Sequence, residues 1–185
     1  LLHMIEIPSP LRLRLSPEAL MSNWRWLAAQ GDAATCGAAV KANAYGLGSA
    51  EVVQHLSRAG CRHFFVATWA EAAALEPLLA GAELSVLHGL GADDCAAAAA
   101  LSARPVLGSA EQIQRWRHMG ADRPCDVMVD TGMNRLGVRL DEVLAGVTDG
   151  LNIVNCLSHL SCADEDDAVS AAQLAAFRMA KAHVK

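Results

Sequence analysis

Aromatic side chains are scarce in this chain of 185 residues, at 4% against 53% hydrophobic residues in all. The apolar content is mostly Ala, Leu and Val, which suits close-packed helices against buried strands better than an aromatic-rich sandwich. A stripe of one charge is also lacking. The formal net charge is -5 and the basic residues are scattered, so neither a nucleic-acid face nor a membrane-binding patch is expected. No apolar run is long enough to span a bilayer, and no secretory leader is recognisable. Six cysteines, at 36, 61, 95, 125, 156 and 162, form no CxxC pair. Reduced, mostly buried thiols in a cytoplasmic protein are expected, rather than a zinc ribbon or a redox pair. No Pro/Ser-rich or charged linker divides the chain. Residues 1–10 lack periodicity and read as an N-terminal extension; residues 11–185 read as one domain.

What is present is alternation. Residues 11–15 (LRLRL) alternate strictly and predict a strand buried on one face. Ser16, Pro17 and Glu18 supply an N-cap, a first-turn proline and a first-turn acid for a helix to about Gln30, ended by Gly31. A strand over 35–40, a loop over 41–48 and a helix over 49–59 follow. Further strands are predicted at 63–67, 84–87, 104–107, 126–129 and 151–157. Helices fall between them at 69–80, 93–101, 109–119 and 141–145, with a last one over 166–183. This order predicts an α/β fold with a parallel sheet and right-handed crossovers. Six βα units follow the leading strand, short of the eight in a closed (β/α)8 TIM-type barrel, so an incomplete barrel is expected.

Lysine is rare too: only Lys41, Lys181 and Lys185 occur. Lys41 follows the apolar run Ala38-Ala39-Val40 at the carboxyl end of a predicted strand, where parallel α/β proteins build active sites. Partial desolvation there favours the neutral, nucleophilic amine. A lone lysine is more often a surface residue; scarcity and setting favour the chemical reading. Arg135 lies in Asp130-Thr-Gly-Met-Asn-Arg-Leu-Gly137, and its guanidinium fork suits a carboxylate. Taken alone, a glycine-flanked arginine is more often an ordinary turn residue. His159 lies in Ser158-His-Leu-Ser-Cys-Ala-Asp-Glu165; with Cys156 and Cys162 it matches no familiar zinc spacing, and no metal is expected. The acids from Asp164 to Asp167 read as the cap and first turn of the last helix. His55, His63, His88 and His118, with Trp24, Trp26 and Trp116, read as surface or packing residues.

These three segments, in this order, carry a family resemblance. Val40-Lys-Ala-Asn-Ala-Tyr-Gly-Leu-Gly48 resembles the lysine signature of the alanine racemases, which use pyridoxal 5'-phosphate, and the segments around Arg135 and His159 resemble two further motifs of that family. The resemblance implies that Lys41 is the Schiff-base lysine and one catalytic base, and that Tyr45 contacts the cofactor phosphate. It further implies that Arg135 sits beside the phenolic oxygen and the substrate carboxylate, and that His159 packs on the pyridine ring. Leu87 matches an apolar position against the cofactor. Two positions depart from the pattern. Leu47 stands where many members have histidine. Met128 stands where many have a carbamylated lysine that orients the arginine, and methionine cannot carry a carbamate.

For the complete enzyme the resemblance implies a barrel followed by a β-rich C-terminal domain, in a head-to-tail homodimer. It implies two-base proton transfer between L- and D-alanine, the partner's tyrosine serving the second face, and D-alanine supplied for cell-wall peptidoglycan. The chain is expected to end before the barrel closes and before that tyrosine, so that alone it racemises alanine poorly. Two alternatives stand beside this reading: a non-catalytic module that binds the cofactor, and a truncated racemase-domain fragment. Serine is the nearest rival substrate.

Overall fold

Three helices of this chain start at a hydroxyl that accepts from the backbone N–H three residues later. Ser16 Oγ accepts from Ala19 N at the head of α1 (Pro17–Ala29), Thr68 from Glu71 N at the head of α4 (Trp69–Leu75), and Ser109 from Gln112 N at the head of α6 (Ala110–Gly120). Each such cap contributes about 1 kcal/mol. The computed structural model describes residues 11–31, 34–165 and 167–184. Its other helical elements are α2 (Lys41–Tyr45), α3 (Ser49–Ala59), α5 (Cys95–Ala100), α7 (Leu140–Leu144) and α8 (Asp167–His183). The predicted N-terminal extension, and the expected start of the last helix at Asp166, lie outside the described residues.

The strands are β1 (Ala38–Ala39), β2 (His63–Val66), β3 (Glu83–Val86), β4 (Arg104–Leu107), β5 (Pro124–Asp130), β6 (Val138–Arg139) and β7 (Asn152–Leu157). All pairings are parallel. β1 to β5 lie in sequence order, and both β6 and β7 pair with β5. Each of β2 to β6 is laid beside its predecessor, and β7 joins β5, with no reversal of order. That winding is the wall of a barrel and not a doubly wound sheet, which reverses at a switch point. Fully buried Val66, Val86, Leu107, Val127, Ile113 and Trp116 join sheet to helices; burial of each aliphatic side chain among them contributes roughly 1.5–3 kcal/mol. None of the described helices is long and apolar enough to cross a membrane.

Four expectations are corrected. The leading strand over 11–15 does not form; Leu11 and Leu13 are 83% and 71% exposed, and Leu15 packs on the core. Alternation describes one face of a strand, but a ladder needs an edge to pair with, and β1 offers only Ala38 and Ala39. The strand over 35–40 contracts to those two residues. The loop over 41–48 opens with a helical turn of unusual hand. Finally, the two-residue β6, too short to leave a sequence pattern, pairs with the end of β5 through Val129↔Val138 and Asp130↔Arg139.

At the amino ends of the strands, inward-facing polar residues meet one another. Asp126 is fully buried and accepts from Ser85 Oγ, from Arg104 Nε at 3.2 Å and from Asn155 Nδ2 at 2.8 Å. Arg104 also donates through Nη2 to Glu83 at 2.7 Å and lies 3.2 Å from His63 Nε2. Burial, reinforced by the Arg104 cation, holds the His63 imidazole below its ordinary pKa. The hydrogen bond from Arg104 holds the Glu83 carboxyl low.

Candidate functional site

The first loop at the carboxyl end of the sheet is the least ordinary part of the chain. After β1, Ala42, Asn43, Ala44 and Tyr45 all have φ between +52° and +55°, so α2 is a left-handed turn. For residues with a Cβ this hand costs about 1–2 kcal/mol each, less for asparagine. The turn is held by hydrogen bonds. Ala44 N donates to Val40 O at 2.9 Å, Gly48 N to Asn43 O at 3.0 Å, Ser49 N to Asn43 Oδ1 at 2.9 Å and Ala42 N to Glu71 Oε1 at 2.7 Å. Lys41 and Tyr45 stand at its two ends, and both line the same cavity. Lys41 is half-buried, while Tyr45 is 65% exposed.

The following loops are tied in pairs. Gln112, from the first turn of α6, accepts from Gly108 N at 2.8 Å and donates to His88 O at 3.1 Å, joining the loops after β3 and β4. Gly89 is required beside it: its φ is +78°, and a Cβ there would lie 2.2 Å from Gln112 Oε1. Trp69 Nε1 donates to Gly89 O at 2.8 Å. Leu87 lies in this region, its N–H bonded to Val66 O at 2.8 Å.

Arg135 sits on the loop between β5 and β6. Asp130 Oδ1 accepts from Gly132 N at 2.9 Å and from Asn134 N at 3.0 Å. The aspartate is thus committed to shaping the loop. Gly137, with φ +133°, closes it; a Cβ there would lie 2.4 Å from Asp130 N. Arg135 itself is exposed, and none of the described residues makes a hydrogen bond or ion pair with its guanidinium. Met128, half-buried on β5, lines the same cavity as Arg135.

His159 follows β7. Its loop is fastened by the buried Gln173 of α8, which donates to His159 O at 3.0 Å and to Thr131 Oγ1 at 3.1 Å, and accepts from Ser161 N at 2.9 Å. Thr131 and Ser158 hydroxyls lie 2.8 Å apart, and Ser158 Oγ donates to Val129 O at 3.0 Å.

Lys41, Tyr45, Leu87, Arg135 and His159 therefore all line one cavity of 390 Å³, together with Met128 and Gln112. A volume of this order accommodates a small-molecule ligand. An amine, a phenol, a guanidinium, an imidazole and an aliphatic wall face it. That set suits a flat anionic ring that carries an aldehyde: the amine for the carbonyl carbon, the donors for the anions, and leucine and imidazole for the ring faces. No cluster of three or more His, Cys, Asp or Glu suited to a metal ion occurs among the described residues. The thiols play no visible part; burial pushes the Cys125 thiol up to about 12, with Asp126 adding to the shift.

Sequence reasoning missed Glu71, Gln112 and Gln173, which fasten these loops. The first two carry a signal, since Thr68-x-x-Glu71 and Ser109-x-x-Gln112 have the spacing of a helix cap. Gln173 lies within a helix and carries none.

Comparison with known proteins gives the same picture. The family described as alanine racemase, N-terminal domain, matches residues 15–185. A catabolic alanine racemase from Agrobacterium fabrum is 46% identical over 173 residues, covering 88% of this chain and 45% of that protein. The crystal structure of alanine racemase from Bartonella henselae with covalently bound pyridoxal phosphate superposes with a TM-score of 0.81 at 32% identity, over 91% of this chain and 52% of that one. Histidine racemase from Leuconostoc mesenteroides shares the fold at a TM-score of 0.76 and 22% identity, over 89% of this chain and 47% of that one. The chain thus spans about half the length of these relatives. With a parallel α/β wall wound in sequence order and a match from residue 15 to residue 185, the chain belongs to the alanine racemase family, within that family's N-terminal barrel domain.

Proposed function

We propose that this chain is the cofactor-holding part of a pyridoxal-phosphate-dependent alanine racemase that interconverts L- and D-alanine. The observation that carries the reading is the convergence of Lys41, Tyr45, Arg135 and His159, from three separate loops, on one cavity beside Leu87. Pyridoxal phosphate, when bound, supplies the electron sink that lets a Cα–H bond ionise. Lys41 would hold the cofactor through Nζ and carry the α-proton at Nζ on one face. Tyr45 would hold the phosphate through its hydroxyl. Arg135 would bind the substrate carboxylate, and His159 with Leu87 would hold the ring. Racemisation needs a second proton carrier on the opposite face, a tyrosine of a partner subunit in a homodimer. In the cell the product would be D-alanine for peptidoglycan, made in the cytoplasm.

The test is to add pyridoxal phosphate, reduce with borohydride, digest and locate the pyridoxyl group by mass spectrometry. Label on Lys41, lost in Lys41→Ala, is the expected result. No label on Lys41 at saturating cofactor would count against the reading. Racemisation by the 185-residue chain alone is expected to be weak; turnover comparable to that of full-length racemases would refute the need for a second base from elsewhere.

A further inference from the structure

Of the side chains that fasten the loops around the cavity, one reaches the lysine turn itself. Glu71 is the third residue of α4, and its Oε2 accepts from Ala67 N at 2.7 Å and Thr68 N at 3.3 Å on its own loop. Its Oε1 does something a helix cap does not need: it crosses to the previous loop and accepts from Ala42 N at 2.7 Å. That N–H belongs to the peptide joining Lys41 to Ala42. Peptide units are planar and include the flanking Cα atoms, so holding this N–H restrains the rotation at ψ of Lys41 that would swing its Cα–Cβ bond. The same N–H opens a turn in which four successive residues with side chains hold positive φ, a state that persists only where the surroundings over-determine it.

We propose that Glu71 is the positioning residue of Lys41: its carboxylate locks the Lys41–Ala42 peptide and so aims Nζ into the cavity. This rests on the reading of Lys41 as the cofactor-binding lysine. Glu71 does not itself line the cavity, so its action is through the backbone.

The shortened side chain of Glu71→Asp separates the two tasks. Thr68 Oγ1 still caps α4 in this variant, because it uses the backbone N–H of residue 71, while the carboxylate falls one methylene short of Ala42. In the full chain without cofactor, amide hydrogen exchange over residues 42–48 is expected to speed up about tenfold or more in this variant, the size of effect that losing a charge-assisted hydrogen bond produces. Exchange within α4 beyond its first turn should stay unchanged. The pyridoxal phosphate concentration that half-labels Lys41 after borohydride should rise by a similar factor. Leu20→Ala on α1, remote from the cavity, controls for general loss of stability and should move neither readout. Wild-type exchange over 42–48 in Glu71→Asp would overturn the proposal, as would an equal rise in half-labelling concentration in Leu20→Ala. Faster exchange in Glu71→Asp, with no label on wild-type Lys41, would uphold the hold on the turn and remove the cofactor reading, so the two failures are distinguishable.

Discussion

Away from the carboxyl ends of β2 to β5 and β7, polar side chains meet one another; at the carboxyl ends, they meet a cavity. Asp126, Arg104, Ser85, His63, Glu83 and Asn155 form a network in which a buried carboxylate and a nearly buried guanidinium satisfy each other across several strands. At the opposite end Lys41, Tyr45 and Arg135 present their polar groups to open space, on loops that include four residues of unfavourable hand. One end gathers its polar groups and is saturated. The other leaves them unengaged and is shaped by clamps from outside. In barrels of this kind the carboxyl face carries the chemistry and the amino face the stability, and here the difference is visible in hydrogen bonds.

The contrast can be broken first at the amino end. Asp126→Ala leaves Arg104 with Glu83 as its one carboxylate partner and takes the acceptor from Ser85 and Asn155, and breaking a buried pair costs roughly 3–5 kcal/mol. Chemical denaturation should show that loss; a change below about 1 kcal/mol would mean the network is not what binds the strands there. The same end should respond to acid. The folded-state pKa of His63 lies below its ordinary 6.5, so its contribution is fully present above that value and is lost as pH falls through the folded value. Denaturation midpoints at several pH values should therefore drop on acidification, and His63→Phe should flatten that part of the profile. An unchanged slope in the variant would assign the acid sensitivity to other groups. The smallest effect belongs to the carboxyl end. Ala42 is exposed and has φ +52°, so Ala42→Gly should relieve strain, raising stability by about 0.5–1 kcal/mol after glycine's entropy is offset. A destabilised variant would show that the left-handed turn is not under strain at that residue.

How far the sequence carries differs between these ends for physical reasons. α3 and β4 form over the residues that local signals predict, because a glycine after Ala59 and the apolar Pro105-Val106-Leu107 stopped by Gly108 are self-contained cues. The LRLRL segment carries an equally regular pattern and forms no strand, because pairing depends on a neighbour that the pattern does not describe. The left-handed turn could not be read at all. Of Ala-Asn-Ala-Tyr only the asparagine tolerates that hand readily, and hydrogen bonds that include those with Val40, Gly48, Ser49 and Glu71 hold the turn. The site residues were reached through family likeness more than through pattern. The structure brings all five around one cavity, while their individual roles remain for the labelling and exchange experiments. The clamps illustrate the boundary well: Glu71 and Gln112 announce a helix cap, but nothing local tells which other loop their second oxygen or nitrogen will reach.

The loop that carries Arg135 is a noose. Its neck is Gly137 drawn against the backbone of Asp130, closed by the β6 rungs, and its inside is filled by the Asp130 carboxylate gripping Gly132 and Asn134. A loop closed in this way has a fixed perimeter, and the reach of its arginine is limited by the number of residues around the ring. Inserting a residue is expected to change where the guanidinium points over the cavity. Length, more than residue identity at the exposed positions, is therefore the property of this segment that variants can least change.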